Sequence, residues 1–353
     1  MSILNIGIIG AGKMGITHCG AFMNVDNTKV IAAADNDLNK LKTIQSGHWP
    51  EIEYYEDSFN SKYRIEKIYE NPYDLLENES VEAVIVSTPN ESHYKIVLES
   101  LKKKKHVLVE KPMTTSFEKA LKLVELAKKN NLVFSVGQCW RFHPEIQYAK
   151  QIVEKEILGK IQKVKGFGIH ESYVPTSSWF SNKKISGGGA VIDMGIHPID
   201  SIRFVLPDLK EESLYANFKT AYGKYDVEDI GATIIRYKNG ATGIIEFGWA
   251  NPHADGVESS IQIFGTKGYM RVFPTELKLT IENEIGLFKP NICSWYLTTE
   301  LYKRQAKAFI QSILFKKKNI NSGEDNLNTI KIIDAIYKSQ RENRVVKFDE
   351  YIN

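Results

Sequence analysis

Residues 3–15 have the sequence ILNIGIIGAGKMG, in which a short apolar run ends at a glycine-rich segment. The run from Ile3 to Ile9 stops at Gly10, and its short length favours a buried strand over a helix. The residues from Lys13 to Met23 are predicted to form a helix. A strand, a glycine turn and a helix in direct succession indicate the start of a βαβ unit, and therefore a parallel sheet.

The alternation of strands and helices continues to about Gly137. Helical patterns at Tyr94 to Lys103 and at Ser116 to Asn130 lie between further short apolar runs. These runs, each predicted to be a strand, are Val30 to Ala34, Glu66 to Tyr69, Ala83 to Ser87, His106 to Val109 and Phe134 to Val136. The pattern predicts an α/β domain over residues 1–137, with right-handed crossovers.

Residues 138–353 have the pattern of a second domain. Lys238, Asn239 and Gly240 separate two alternating runs, and Asn-Gly in such a place is a strong hairpin signal. The predicted strands are 160–170, 213–221, 233–237, 242–249, 259–264, 269–273 and 277–281, with helices near 145–156, 190–205, 300–315 and 325–340. The second domain is therefore predicted to be α+β with a mostly antiparallel sheet.

The composition excludes several classes of protein. The chain has 353 residues, and 46 Lys and Arg against 43 Asp and Glu give a formal charge of +3, which offers no argument for nucleic-acid binding. Its cysteines, Cys19, Cys139 and Cys293, are far apart, so neither a disulfide scaffold nor a metal site is expected. No apolar stretch is long enough to cross a membrane, and no signal peptide is recognisable. We expect a cytoplasmic protein.

The segment Gly10-Ala11-Gly12-Lys13-Met14-Gly15 matches GxGxxG in the context that dinucleotide binding requires, after a strand and at the start of a helix. The first glycine makes the tight turn, the second lets the backbone approach a pyrophosphate, and the third lets the helix pack on the sheet. The helix N-terminus would present N–H groups and a positive dipole end to the phosphates. The alternative is a glycine-rich turn without a ligand.

Asp35 lies 20 residues after Gly15, at the end of the second predicted strand. A carboxylate at this place can bind the adenosine ribose hydroxyls. Asn36 follows it, and no adjacent arginine is available for a 2′-phosphate, so NAD is favoured over NADP. Lys13, inside the glycine-rich segment, weakens the preference for NAD slightly because it could reach a 2′-phosphate. Asp35 as a plain helix cap is the alternative.

Two further segments, Ser87 to Asn90 and Glu110 to Pro112, follow predicted strands at the edge where open α/β sheets bind ligands. Lys111 lies in the second of them and could hydrogen-bond a substrate hydroxyl beside the nicotinamide, although a surface lysine in a loop is the alternative. The hydroxyls of the first segment could contact the nicotinamide half, although a simple turn with Asn90 as N-cap explains it nearly as well. The candidate cofactor-binding residues of these segments are Ser87, Thr88, Pro89, Asn90, His93, Glu110 and Lys111.

Asp193 and His197 follow the run Gly187-Gly188-Gly189 and are four residues apart. If residues 190–206 are helical, the two side chains share one face of a largely apolar helix. Burying an acid or an imidazole without a partner is costly, and histidine suits proton transfer near neutral pH. One alternative is a buried Asp–His pair whose hydrogen bonds are all made within the core. The other is a metal site, for which the sequence shows no further cluster of ligands.

The ordered set GAGKMG, STPN with His93, EKP and GGGAVIDMGIH resembles the Gfo/Idh/MocA (glucose–fructose oxidoreductase/inositol dehydrogenase) family over nearly the whole chain. RFHP at 141–144 and SGED at 322–325 belong to the same resemblance. It implies a Rossmann domain, a second domain with an open sheet, and hydride exchange between NAD(P) and a hydroxyl-bearing carbon of a sugar or cyclitol. It further implies a homodimer or homotetramer, and the last helix is expected to pack back on the first domain.

The resemblance also implies roles for three residues. His197 would remove the hydroxyl proton, Lys111 would polarise that oxygen, and Asp193 would orient the substrate. A non-catalytic dinucleotide-binding sensor or scaffold on the same fold remains an alternative, since fold does not fix function. A further alternative is an enzyme that holds NAD tightly and shows no net redox reaction.

Substrate contacts are expected from aromatic and polar residues of the second domain, because rings stack on sugar faces and polar groups fix hydroxyls. The candidates, besides Asp193 and His197, are Arg141, His170, Tyr173, Trp179 and His253. One departure from the family pattern is a long connection after the second strand. Its extra material, Gln45 to Arg64, is predicted to be an insert, and the two alternatives are that it extends the helix near the adenine or makes a subunit contact.

Overall fold

The computed structural model describes residues 3–47, 65–170, 178–249, 258–292 and 298–351. The chain forms two compact units, of which the first comprises Met1–Cys139 and Leu297–Leu327 and the second comprises Trp140–Tyr296 and Asn328–Asn353. The chain leaves the first unit close to the boundary that the sequence predicts, and it returns there for one later segment. The predicted insert from Gln45 to Arg64 falls, beyond residue 47, outside the described residues.

A six-stranded parallel sheet with the order β3-β2-β1-β4-β5-β6 forms the centre of the first unit. Its strands are β1 (Leu4–Ile9), β2 (Thr28–Ala34), β3 (Lys67–Tyr69), β4 (Ala83–Val86), β5 (His106–Val109) and β6 (Phe134–Val136). The helices in this part of the chain are α1 (Lys13–Met23), α2 (Leu38–Ser46), α3 (Pro72–Leu76), α4 (Asn90–Lys102) and α5 (Phe117–Lys129). The strand order reverses between β1 and β4, which is where ligands bind in open parallel sheets. The predicted α/β Rossmann domain is confirmed.

The apolar runs of the first domain are continuous because helices cover both faces of its sheet. Ile6 and Ile8 in β1 and Ile85 in β4 have no exposed surface. The core also takes in Phe22 of α1, which is fully buried. These residues fix the strand–turn–helix segment that opens the chain.

A nine-stranded sheet with the order β14-β13-β12-β11-β7-β10-β9-β8-β15 forms the second unit. Its strands are β7 (Ile161–Ile169), β8 (Glu211–Lys219), β9 (Ile230–Tyr237), β10 (Thr242–Gly248), β11 (Glu258–Gly265), β12 (Gly268–Val272), β13 (Glu276–Ile281), β14 (Glu284–Phe288) and β15 (Val346–Lys347). Only β7 and β10 pair in parallel among these described strands. This confirms the predicted mostly antiparallel sheet.

The helices between residues 144 and 205 that accompany this sheet are α6 (Pro144–Glu154), α7 (Lys183–Ser186) and α8 (Ile196–Val205). Helix α8 packs on β7 and β11, and α6 packs on α8. The sheet strands alternate accordingly: Leu214 and Ala216 are buried in β8, whereas Tyr215 between them is 40% exposed. The predicted hairpin is present, with Gly240 at a φ of 85° between β9 and β10.

Two strands, β14 and β15, have no counterpart among the predicted strands. In β14 no residue is buried, so the alternation that marks a strand facing a core is missing. It is formed because Glu282 and Asn283 both adopt positive φ, which closes a tight hairpin with β13. Strand β15 has only two residues, too few for any periodicity.

The last two helices lie close to the predicted positions, near 300–315 and 325–340. Helix α9 (Thr298–Leu314) packs on α1, and the ring of Phe309 meets that of Phe22 edge to face at 6.0 Å. Helix α10 (Gly323–Glu342) has its first residues, to Leu327, in the first unit and the rest in the second unit. Each helix has a separate apolar face, and sequence periodicity does not specify which unit covers it. No helix within the described ranges has the length and apolar character needed to cross a membrane.

Candidate functional site

The glycine segment between β1 and α1 has the geometry of a phosphate-binding turn. Gly10 adopts a φ of 95°, and a Cβ there would lie 2.7 Å from the Ser87 backbone. A Cβ on Gly15 would lie 1.8 Å from the carbonyl oxygen of Gly10, so only glycine allows the helix to start this close to the strand. In contrast, nothing within the described residues approaches a Cβ on Gly12 to within 4 Å. This open side of the turn leaves room for a ligand.

Helix α1 begins at Lys13, and its N-cap residue, Gly12, provides no side-chain cap. The first N–H groups of α1 therefore receive no acceptor from the side chain of the N-cap residue. Such N–H groups suit an anion such as a pyrophosphate. The carboxylate of Asp35 lies at the end of β2 and accepts hydrogen bonds from the N–H groups of Ala11, at 2.7 Å, and Asp37, at 2.9 Å. Asp35 is thus held against the glycine turn, at the place where the sequence predicts the ribose site. Asp37, and not Asp35, caps α2.

Ser87 and His93 stabilise the neighbouring turns. Ser87 directly follows β4, and its hydroxyl donates a hydrogen bond to the carbonyl oxygen of Gly10 at 2.9 Å. This hydrogen bond stabilises the glycine turn. His93 is completely buried, and its ring nitrogens lie 2.7 Å from the Thr88 carbonyl oxygen and 2.8 Å from that of Pro112. Burial lowers the pKa of His93, against the effect of both carbonyl contacts. The ring therefore links two loops of the first unit rather than facing outward, as the predicted nicotinamide contact would require.

Glu110 and Lys111 follow β5 at the same edge of the sheet. One carboxylate oxygen of Glu110 lies 2.6 Å from Nε2 of His18, and the other accepts a hydrogen bond from the Lys111 N–H at 3.1 Å. Burial acts to raise the pKa of Glu110, but the contact with His18 and the charge of Lys111 outweigh it and hold the pKa below its ordinary value. Glu110 is thus turned into the unit, whereas Lys111 is half-buried.

The second unit carries Asp193 and His197. The predicted helix from Ala190 to Leu206 begins as a π-helical turn, Val191–Gly195, and continues as α8. From Gly188 to Ile202 every residue is buried except Asp193 and His197, which are both half-buried. The two side chains therefore share the accessible side of an otherwise buried segment. Wider helical turns of this kind frequently occur at functional sites.

Two tryptophans support this pair. The indole N–H of Trp249 donates to a carboxylate oxygen of Asp193 at 2.9 Å. The ring of Trp140 stacks on the ring of His197, with centroids 4.9 Å apart and planes within 16°. Both rings restrict the orientation of the side chain that they contact. Neither tryptophan was among the predicted site residues, because their neighbours come from distant parts of the chain.

The π-helical turn is anchored by a buried acid and by close packing. Glu228 accepts hydrogen bonds from the N–H groups of Gly189, at 2.8 Å, and Val191, at 3.1 Å. Burial raises the pKa of Glu228, and these N–H groups and the Tyr337 hydroxyl oppose that rise. A Cβ on Gly168 in β7 would lie 2.3 Å from the Met194 carbonyl oxygen, so this glycine lets the turn rest on the sheet.

The remaining predicted substrate residues have different surroundings. Arg141 is buried and forms two hydrogen bonds with the equally buried Asp200, at 2.7 and 2.6 Å. Its guanidinium is thus engaged inside the second unit. Trp179 is half-buried and stacks on Phe180 with centroids 3.8 Å apart, and His170 is exposed. Tyr173 and His253 lie outside the described residues.

No group of three or more His, Cys, Asp or Glu side chains that could hold a metal ion occurs in the part of the chain that the structure describes. The open glycine turn, the uncapped start of α1 and Asp35 fit a dinucleotide. Lys111 follows a strand of the dinucleotide-binding sheet, and the Asp193–His197 pair belongs to the second unit. Each group lies at an accessible position within its own unit.

Comparisons with known proteins agree with this assignment. The model of an oxidoreductase family with an NAD-binding Rossmann fold matches residues 4–138, and the GFO/IDH/MocA C-terminal domain matches residues 146–271. Myo-inositol 2-dehydrogenase of Thermotoga maritima is 26% identical over 358 aligned positions, covering 99% of this chain and 100% of the relative. D-glucoside 3-dehydrogenase of Escherichia coli is 24% identical over 96% of this chain and 95% of the relative.

Among solved structures, an oxidoreductase from Agrobacterium radiobacter in complex with NAD+, L-tartaric acid and magnesium has the same fold. Its TM-score is 0.84 at 23% identity, covering 99% of this chain and 100% of that chain. The fold, the glycine turn and the two family models, which together match most of the sequence, lead to one conclusion. The chain belongs to the Gfo/Idh/MocA family of NAD-binding oxidoreductases.

Proposed function

We propose that the protein is an NAD-dependent dehydrogenase that oxidises a CH–OH group on the ring of a sugar, a sugar derivative or a cyclitol. The observation that carries the proposal is the exposure pattern of residues 188–202, in which only Asp193 and His197 remain accessible. An imidazole and a carboxylate held together on one accessible side suit proton exchange with a substrate hydroxyl. The inositol and glucoside dehydrogenases among the relatives support the substrate class.

The cofactor, His197 and Lys111 each have one role in the proposed reaction. NAD+, when bound at the glycine turn, would supply the hydride acceptor for the carbon that carries the hydroxyl group. His197 accepts the hydroxyl proton at Nε2, because its Nδ1 is buried while the ring is partly accessible. The Lys111 ammonium donates a hydrogen bond to the same oxygen and stabilises its developing negative charge. The carbon loses a hydride and the oxygen loses a proton, so the product is a ketone.

Asp193 orients the substrate in this scheme. Its carboxylate is fixed by the indole N–H of Trp249 and keeps a partly accessible side for a second hydroxyl. Trp140, stacked on His197, holds the imidazole plane so that the accepting nitrogen stays in place. Such positioning contributes to the rate because the reacting groups need not be ordered at each turnover.

A substrate panel tests the proposal. Sugars, cyclitols and sugar acids are incubated with the protein and NAD+ or NADP+, and the absorbance of the reduced nicotinamide is followed. We expect reduction with at least one sugar or cyclitol and loss of that activity in K111M. Dinucleotide binding without turnover across the panel would identify a sensor or scaffold instead. Product formation with the reduced cofactor retained and no net reduction would identify an internal hydride shuttle.

Asp35 is expected to set the preference for NAD over NADP. Its carboxylate is fixed by Ala11 and Asp37 beside the glycine turn, where it would bind ribose hydroxyls and repel a 2′-phosphate. Asp35→Ser should lower the ratio of kcat/KM for NAD+ to that for NADP+ by about 100-fold, as expected for the loss of charge-assisted hydrogen bonds and of a repulsion.

The matched control for this prediction is Asp37→Ser, because Asp37 caps α2 two residues away. It should change stability by no more than about 1 kcal/mol and leave the cofactor ratio within about threefold of the original. An unchanged ratio in Asp35→Ser would show that Asp35 does not face the ribose.

The second sheet is proposed to form a homo-oligomer through its exposed face. Ile234 in β9 is 55% exposed and lies opposite Tyr215 in β8, which is 40% exposed. Exposed apolar pairs on a sheet favour association with a second copy. Light scattering at micromolar concentration should give a dimer or tetramer, and Ile234→Glu should reduce the mass. Leu121→Glu, a change at a 38%-exposed residue of the first unit, should leave the mass unchanged. A monomer for the unaltered protein would contradict this expectation.

A further inference from the structure

A buried acid–imidazole pair in the first unit has no role in the mechanism above. His18 lies on α1, three residues after the last glycine of the glycine turn, and its side chain is fully buried. Its Nε2 is 2.6 Å from Oε1 of Glu110, whose side chain is only 10% exposed. An apolar pair of the same size would fill this space without the cost of burying polar atoms. Stability alone therefore gives little reason for the pair.

The hydrogen bond has a defined direction. Glu110 is ionised, because the contact with His18 and the charge of Lys111 hold its pKa below the ordinary value despite burial. An ionised carboxylate can only accept, so Nε2 of His18 donates. Nδ1 of His18 is buried without a hydrogen-bond partner among the described residues, so the contact through Nε2 is what fixes the ring against Glu110.

The carboxylate is held from further directions. A Cβ on Gly137 would lie 2.8 Å from Oε1 of Glu110, so the absence of a side chain leaves just enough room for that oxygen. Oε2 accepts the backbone N–H of Lys111 at 3.1 Å. The rings of Tyr302 and His18 pack edge to face, with centroids 5.4 Å apart and planes at 88°. Neither His18 nor Glu110 can turn without moving these neighbours.

We propose that His18 and Glu110 are positioning residues for Lys111. His18, on the helix that starts at the glycine turn, fixes the Glu110 carboxylate, and the carboxylate fixes the Lys111 backbone and places a negative charge beside its ammonium group. The pair thereby ties the position of Lys111 to the helix that receives the dinucleotide. This inference rests on the proposed function of Lys111 and adds two residues to it.

The test compares His18→Leu, His18→Gln, Glu110→Gln and Lys111→Met with a matched control, Phe309→Leu. Gln at position 18 keeps an N–H donor, and Gln at position 110 keeps the shape without the charge. Phe309 packs on α1 through Phe22 and takes no part in the His18–Glu110 hydrogen bond, so its change loosens the same helix without altering the pair. Four quantities are measured, namely kcat, KM, the dissociation constant of NADH and the dependence of kcat on pH.

We expect His18→Leu and Glu110→Gln to lower kcat by about 10- to 100-fold with NADH binding within about threefold, because a misplaced catalytic group mainly affects the chemical step. His18→Gln should recover most of the loss. Without its donor the buried Glu110 has a raised pKa, so it loses its charge at a higher pH. The acid limb of kcat should therefore move to higher pH in His18→Leu, but not in Phe309→Leu.

A readout that needs no substrate is hydrogen exchange of the peptide containing residues 107–114. The Lys111 amide should exchange roughly tenfold faster in His18→Leu and at the original rate in His18→Gln, because it loses a fixed acceptor. Unchanged kcat, pH profile and exchange in His18→Leu and Glu110→Gln, with Lys111→Met inactive, would overturn the positioning role. Full activity of Lys111→Met would instead contradict the proposed function of Lys111.

Discussion

His197→Ala should lower kcat by roughly 10²- to 10⁴-fold on any substrate that the protein turns over, because it removes the proposed general base. NADH binding should remain within about threefold of the original, since the glycine turn belongs to the other unit. The loss of the stacked ring against Trp140 should lower the free energy of unfolding by about 1 kcal/mol. Steady-state kinetics, NADH fluorescence and thermal unfolding measure the three effects separately.

Two controls make this prediction specific. His197→Gln fills more of the space beside Trp140 but cannot accept the proton in the same way, so it should be as inactive as His197→Ala. His106→Gln alters a half-buried histidine at the start of β5, at the opposite end of the strand from Lys111, and should keep kcat within about threefold of the original. Turnover by His197→Ala close to that of the original protein would show that another group takes the proton.

Arg141→Met should destabilise the second unit by about 3–5 kcal/mol, because it leaves the buried Asp200 carboxylate without its charged partner. The hydrogen bond that Asp200 accepts from the Thr329 hydroxyl at 3.0 Å would remain, but it does not balance a buried charge. The melting temperature should fall by roughly 10 °C. KM for the substrate should stay within about threefold at temperatures where the variant is folded.

The double variant Arg141→Met, Asp200→Leu should recover at least half of the lost stability, because no unpaired charge is then buried. The control Arg236→Met breaks the exposed ion pair with Glu212 and should cost less than about 1 kcal/mol. A stable Arg141→Met variant whose KM rises more than tenfold would instead favour a substrate-binding role for Arg141.

The sequence is most informative where local chemistry dictates the backbone. The GxGxxG segment predicts its own strand–turn–helix, because Gly10 and Gly15 occupy positions where a Cβ would collide with Ser87 or with the turn itself. Asn239 and Gly240 likewise specify their hairpin through the positive φ at Gly240. Strand β14 was missed because none of its residues is buried, so no apolar periodicity marks it.

The candidate site was predictable in its residue types and less so in its supports. Asp193 and His197 were identified from their spacing within an apolar segment, and the structure leaves these two accessible there. Trp249, which holds Asp193, lies 56 positions away, and nothing local distinguishes it from a core tryptophan. His18 lies within a predicted helix, and the only sequence signal for its role is that a histidine on a buried helix face needs a hydrogen-bond partner.

The sequence by itself determined most of the order of strands and helices, the dinucleotide-binding turn and the pairing of Asp193 with His197 in one apolar segment, because each depends on near neighbours in the chain. The tertiary structure alone decided which distant groups meet: His18 with Glu110, Arg141 with Asp200, and helix α9 with α1. Those choices depend on how buried polar groups find partners and how apolar faces are covered. Many residues of the sequence could be the partner of a buried polar group or the cover of an apolar face. Only the close packing of the folded chain selects which residues take these places.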